Sequence, residues 1–290
     1  TGRHRRNHDR EIRMKLGLSL GYSGREMHLP VERVQLAERL GYDSVWTAEA
    51  YGSDALTPLA YLAAVTKHIR LGTGIVQLSG RTPAMCAMQA ATIDALAGGD
   101  RVIIGIGTSG PQIVEGWYGQ PWGKPYWRVK DYVEIMRKVW RREAPVEHDG
   151  QAFQLPFRGE GALGIGKPLK SILHMNPHIP IWLGTGTQTM VRLTGQIADG
   201  WLPLRMTPES IDKARGWLQE GVARAGNGRT IDDIEIQSGV AVTITDDVQA
   251  AIDAQKPATA LYVGGMGHKD INFHKDRMVA QGFGAEADRI

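Results

Sequence analysis

Two stretches of small and hydroxylated residues stand at the ends of apolar runs and ask for a ligand. The first is "GIGTSGPQIVEGWYG" (105–119), with Gly107, Thr108, Ser109 and Gly110 between an apolar run and a helical one. The second is "GTGTQTMVRL", with Gly184, Thr185, Gly186 and Thr187 leading directly into an amphipathic segment. Backbone N–H groups at such turns, hydroxyls and a helix N-terminus together make an anion site. The second stretch suits a phosphate better, having three threonines and an immediate helix. Tight, capped turns with no ligand would read the same way, so chemistry needs further support. Neither stretch ends in Gly-Lys-Ser/Thr, which argues against nucleotide hydrolysis, and neither carries the dinucleotide fingerprint with its following acidic residue.

Other reactive residues are sparse. Glu49 stands at the end of "DSVWTAE", with Tyr51 close behind, and Glu115 follows the first glycine-rich stretch. A glycosidase would want two carboxylates at strand ends, and only Glu49 is well placed. The histidines lack metal-ligand spacing, so a catalytic metal is not expected. The single cysteine, Cys86, sits on an apolar helical face with no base implied nearby, so it reads as core rather than nucleophile. The run "EGWYGQPWGKPYW" is rich in aromatics interrupted by glycine and proline, which suits a loop at a pocket mouth or rings packed on a rim.

Short β-rich runs alternate with longer amphipathic ones, as in consecutive βαβ units with a parallel sheet. Strands are expected at 15–21, 43–49, 69–78, "DRVIIGIG", 179–186, "ADGWLPL" and "DIEIQSGVAVTIT" (233–245). Helices are expected at 30–42, after Thr57 as N-cap with Pro58 following, at "TPAMCAMQAATIDALAGG", 126–141, "MVRLTGQIA", "SIDKARGWLQEGVARAG" and about 246–263. "EHDGQAFQLP" reads as a hairpin within an irregular region at 142–179. This order is that of an α/β fold, a (β/α)8 TIM barrel, with an insertion after the fourth helix. No credible eighth strand follows "GGMGHKD", so the barrel is expected to be C-terminally incomplete in this chain.

Composition narrows the function. The 290 residues are 42% hydrophobic and 22% charged, ordinary for a globular domain with a sizeable core. A net charge of +3, much of it in the opening "TGRHRRNHDREIR", is too mild and local for a nucleic-acid partner. Residues 1–13 read as a leader or tag before one domain over 14–290, with Met14 as the native start. No apolar run reaches bilayer length, and with no signal core and one cysteine the expected compartment is cytoplasmic.

"GYDSVW", "IRLGTGIV", "TIDALAGGDRVIIGIGTSGPQIVEGWYG" and "IADGWLP", in order, resemble the luciferase-like monooxygenase superfamily, specifically its coenzyme F420-dependent branch. The likeness runs from Met14 to about Gly267. It implies a barrel with a deazaflavin or flavin across its C-terminal mouth and a non-prolyl cis peptide at Gly74–Ile75 backing the central ring. It places Gly107 to Gly110 along the ring and polyol and Gly184 to Thr187 at the phosphate. Glu49 lies at the family's acidic position, with Tyr51 and Glu115 as further proton sources, and Trp46, Trp117 and Tyr118 are expected to line the substrate pocket. Relatives that oxidise alcohols carry a histidine and a glutamate where this chain has Ala50 and Gly110, so that chemistry is not expected. The lead expectation is hydride transfer between F420 and a small organic substrate. An FMN-dependent monooxygenase and a non-catalytic cofactor-binding barrel remain as alternatives, and family habit implies a homodimer.

Overall fold

The structure is a computed structural model describing residues 14–204, 206–268 and 271–290; the expected leader at 1–13 lies outside the described residues. Parallel strands β1 (Gly17–Gly21), β2 (Ser44–Thr47) and β3 (Arg70–Thr73) follow one another, and β4 (Val76–Gln77) continues the path of β3 beyond a break. They are joined by helices α1 (Val31–Arg39) and α2 (Leu56–Val65). Helix α3 (Pro83–Leu96) leads to β5 (Val102–Gly107), and α4 (Pro111–Val114) and α5 (Pro125–Arg141) follow it. The expected hairpin forms as antiparallel β6 (His148–Asp149) and β7 (Gln154–Leu155). Then come β8 (Ile181–Thr185), α6 (Gln188–Ile197), β9 (Gly200–Pro203), α7 (Pro208–Ala225) and β10 (Glu235–Ile236). The last pieces are α8 (Val248–Asp253), α9 (Lys256–Ala260), α10 (Phe273–Ala280) and α11 (Gly284–Ala287).

The sheet runs β1-β2-β3-β5-β8-β9-β10, every neighbour parallel. Strands of this kind bury both faces, and the unbroken apolar run Val102–Gly107 in β5 is buried throughout. At the base, Arg70 at the start of β3 donates to Asp43 and also to Glu235 at the start of β10, and Lys15 just before β1 donates to Glu235 at 2.9 Å. The first and last strands are thus drawn together around one ion cluster. Among the described residues no eighth barrel strand follows β10.

Three expectations are corrected. The seventh strand stops at Ile236, and the alternating residues Val240, Val242 and Ile244 lie exposed, with no neighbouring strand to pair them among the described residues. The expected last helix is broken at Ala254–Gln255, just before Pro257, whose ring cannot continue a helical ladder. Helix α2 is capped by Asp54, whose carboxylate accepts from Leu56 and Thr57 N–H at 2.8 Å each, rather than by Thr57. Thr82 does cap α3, accepting from Met85 N–H.

Candidate active site

The mouth of the barrel is built around the break between β3 and β4. The Gly74–Ile75 peptide is cis, as the resemblance implies. At the break the regular ladder to β5 lapses, and the Thr73 hydroxyl takes its place: it donates to Gly105 C=O and accepts from Gly105 N–H, both at 2.9 Å. A Cβ on Gly105 would stand 1.9 Å from the Thr73 carbonyl, so only glycine lets the two strands approach this closely. The break turns Gly74 outward to the mouth, with Ile75 half-buried beside it.

Gly107 and Gly184 act differently from expectation. A Cβ on Gly107 would meet Ile75 Cδ1 at 3.0 Å, and one on Gly184 would meet Ile75 Cγ2 at 2.8 Å. These glycines seat the Ile75 side chain. The result is a flat shelf, Gly74–Ile75, supported from beneath by β5 and β8. Trp46 is also displaced from its expected pocket: it is 3% exposed and packs inside the barrel against Gly72, with its ring centroid 5.0 Å from that of Trp182. A residue in mid-strand on β2 points into the packed interior, not to the rim.

Glu49 lies just beyond the end of β2, and both oxygens of its carboxylate accept hydrogen bonds from the protein. It is buried, accepts from Arg81 Nη1 at 2.9 Å and Nη2 at 3.0 Å, and also accepts from Gln77 N–H at 2.6 Å and Ala55 N–H at 3.1 Å. Burial disfavours the Arg81 cation, but the Glu49 carboxylate outweighs it and holds the guanidinium above its ordinary range. Glu49 therefore ties β2, β4 and the start of α2 together beneath the mouth. Arg81 and Gln77 had no distinguishing mark in the sequence beyond their nearness to a strand end.

Tyr51 and Trp117 do meet at the rim, ring centroids 6.4 Å apart, each about half exposed or more. Tyr118 lies over Gly80, where burial pushes its phenol up. Glu115 is exposed and accepts from Trp122 N–H at 3.2 Å, so it folds its own loop. Thr108 and Ser109 are half-buried at the end of β5, and Ser109 takes a left-handed backbone at φ 59°. Gly110 is buried under the Gln112 amide, which fills the space a side chain there would need. In the second stretch, Thr185 turns away from the mouth: its hydroxyl meets that of Thr194 on α6 at 2.8 Å. Gly186 and Thr187 stay at the surface of the mouth, Thr187 standing at the N-cap of α6 without a side-chain cap bond.

The C-terminal segment crosses this mouth. Tyr262 meets the Tyr22 hydroxyl at 2.8 Å beyond β1, Met266 C=O accepts from Gln112, and Phe273 lies 6.1 Å from Trp122. Further on, the Arg277 guanidinium rests on Gly186. The polar pattern of 271–290 gives no sign of these contacts.

The shelf fits a flat ring. In and just after β4, Gln77 Oε1 and Ser79 Oγ are buried and, among the described residues, have no hydrogen-bond partner. Among the described residues no cluster of His, Cys, Asp and Glu could hold a metal, and no helix is long and apolar enough to cross a membrane. The Cys86 thiol is buried, and burial pushes it up to about 11.

The sequence model of the luciferase-like monooxygenases matches residues 14–290. The chain belongs to this family. It is 48% identical over 282 residues to a Mycobacterium tuberculosis protein named as a coenzyme F420-dependent oxidoreductase, covering 97% of this chain and 81% of that one. It is 31% identical over 248 residues to a 5,10-methylenetetrahydromethanopterin reductase of Archaeoglobus fulgidus, covering 82% of this chain and 70% of the other. Among solved structures, the F420-dependent tetrahydromethanopterin reductase of Methanopyrus kandleri superposes with a TM-score of 0.71 at 24% identity, over 94% of this chain and 81% of that one. An F420-dependent secondary alcohol dehydrogenase superposes with a TM-score of 0.73 at 19% identity, over 95% and 82%. These two likenesses carry the fold.

Proposed function

We propose that this chain is an F420-dependent oxidoreductase that moves a hydride between the cofactor and a small, flat organic substrate at the barrel mouth. The observation that carries the reading is the outward-facing Gly74–Ile75 shelf, backed by Gly107 and Gly184, in a chain 48% identical to a relative named for F420. When bound, F420 supplies a ring carbon that gives or takes a hydride.

The chain's own residues position and shield. The shelf fixes the ring plane, and Glu49, held by Arg81 and two backbone amides, fixes the strands that form it. Thr108 and Ser109 would hold the ring edge, and Gly186 and Thr187 would hold the phosphate at the N-terminus of α6. Tyr51 and Trp117 form the apolar rim over which a flat substrate slides. With Ala50 and Gly110 where alcohol-oxidising relatives have an acid–base pair, and Glu49 fully bonded, the protein offers little proton machinery. Hydride addition to an activated C=C or C=N bond fits this best, completed by a proton from Tyr51 or solvent.

The chain is further expected to pair with a second copy through α2 and α3. Helix α2 has no charged residue and α3 only the buried Asp94, while Tyr61, Met85, Met88 and Leu96 stand exposed along them. Light scattering should then give a dimer that Met88→Glu dissociates; a monomeric parent chain would refute it.

The cofactor reading is tested by titrating the protein with F420 and with FMN side by side, following cofactor fluorescence. Tight binding of F420 alone is expected. Binding of FMN alone would replace the reading with an oxygen-using flavin enzyme. Turnover with unsaturated acceptors then separates an enzyme from a barrel that only binds.

A further inference from the structure

Arg277 stands over the mouth with surroundings that do not account for its charge. It is carried by α10 on the segment that crosses the barrel, and its Nη2 lies 2.9 Å from where a Cβ on Gly186 would stand. Its Nη1 is buried and, among the described residues, has no hydrogen-bond partner. Among the described residues no carboxylate pairs with it, and burial alone acts on its ionisation, pushing it below the ordinary arginine range. A desolvated guanidinium with no counter-ion is costly to a fold, and structural arginines are normally paired, as Arg81 and Arg70 are here.

What faces Arg277 is also electropositive. Gly186 and Thr187 lead into α6, ten residues long, whose first turn has no acidic residue and whose N-cap side chain makes no cap bond. Its free N–H groups and positive end point to the same place as the unpaired guanidinium. Two cationic features share one spot without an anion between them.

We propose that Arg277 is the cationic arm of an anion subsite with Gly186 and Thr187, so that the phosphate of a ring cofactor fastens the C-terminal segment across the mouth. This rests on the reading of the mouth as the seat of a phosphorylated cofactor. The planar fork of a guanidinium matches two phosphate oxygens, and the α6 amides take the others. The segment already leans on the Tyr22 hydroxyl, on Gln112 and on Trp122, so a phosphate would add the fourth tie, at the far side of the mouth. Arg277 thereby couples occupancy of the phosphate position to closure over the ring.

The test compares F420 with its phosphate-free deazaflavin chromophore, by fluorescence titration, in the parent chain, Arg277→Gln and Arg277→Lys. Arg277→Gln should weaken F420 binding by about tenfold or more, as expected for loss of a charge-assisted pair, and leave the phosphate-free chromophore within about twofold. Arg277→Lys should restore part of the loss. F420 should also slow tryptic cleavage within residues 261–290 of the parent chain and fail to do so in Arg277→Gln. Equal losses for both ligands, or F420 binding that is unchanged or tighter, overturn the proposal. If the parent takes FMN instead of F420, the same comparison of FMN with riboflavin decides the role of Arg277 while the F420 reading falls. Binding of no phosphorylated ring would remove both.

Discussion

Replacing Glu49 with glutamine separates a structural carboxylate from a catalytic one. The Glu49 side chain is 2% exposed and that of Arg81 13%, so removing the charge leaves a guanidinium desolvated and without its partner. Breaking a buried pair from one side costs about 3–5 kcal/mol, which for a domain of this size lowers Tm by roughly 6–20 °C. The amide of glutamine would also turn an N–H toward either the Ala55 or the Gln77 amide, both of which now donate to the carboxylate. Glu49→Gln should therefore lose stability in urea titration and weaken ring-cofactor binding in parallel, because the shelf loosens with the strands. The double variant Glu49→Gln/Arg81→Gln should recover part of the stability, since no stranded cation remains. Stability within about 1 kcal/mol of the parent, together with the loss of one limb of the pH–rate profile, would refute the reasoning and return Glu49 to proton transfer.

Three further outcomes follow from the site and the base of the barrel. Thr187→Glu places a like charge at the phosphate position and should abolish cofactor binding without lowering Tm; unchanged affinity would remove the α6 turn from the site. Trp117→Ala deletes half of the rim pair and should raise KM several-fold with cofactor affinity nearly constant, whereas lost cofactor affinity would mean the loop faces the other ligand. At the base, burial raises the Glu235 carboxyl, but its bonds to Arg70 and Lys15 outweigh this and hold it below its ordinary 4.5. The folded state thus favours the ionised form: its contribution is present above pH 4.5 and lost as pH falls through the lowered value. Glu235→Gln should flatten the acid limb of the stability curve below pH 4.5, and an unaltered limb would show that the cluster does not tie the strands.

The barrel was legible because period and punctuation agree along most of the chain. "DRVIIGIG" reads as a strand and Thr82-Pro83 as a helix start, and both form, whereas the same Thr-Pro pair at Thr57-Pro58 falls just inside a helix that Asp54 caps. Val240, Val242 and Ile244 mislead for a definite reason: alternation reports a capacity to pair, whereas a strand also needs a neighbour. Trp46 was misplaced because its distance from the strand end, not its type, decides whether it faces interior or rim. The glycines at 107 and 184 were singled out for a ligand, but what the fold brings against them is the Ile75 side chain, and no local pattern names a tertiary partner. Arg81 and Arg277 are of the same kind. Their meaning lies in what they meet or fail to meet, across 32 residues of chain for Arg81 and Glu49.

The exchange between Thr73 and Gly105 has a consequence for anyone borrowing this architecture. A hydroxyl that satisfies both polar groups of one residue on the next strand makes the kinked mouth a two-residue cassette, separable from the rest of the sheet. Transplanting the shelf into another parallel barrel would require both members together, since threonine alone would collide and glycine alone would leave its amide and carbonyl unmet. An engineered host would also need glycines at the positions of Gly107 and Gly184 on the adjoining strands, to seat the Ile75 side chain, before the landing lies open to aromatic ligands.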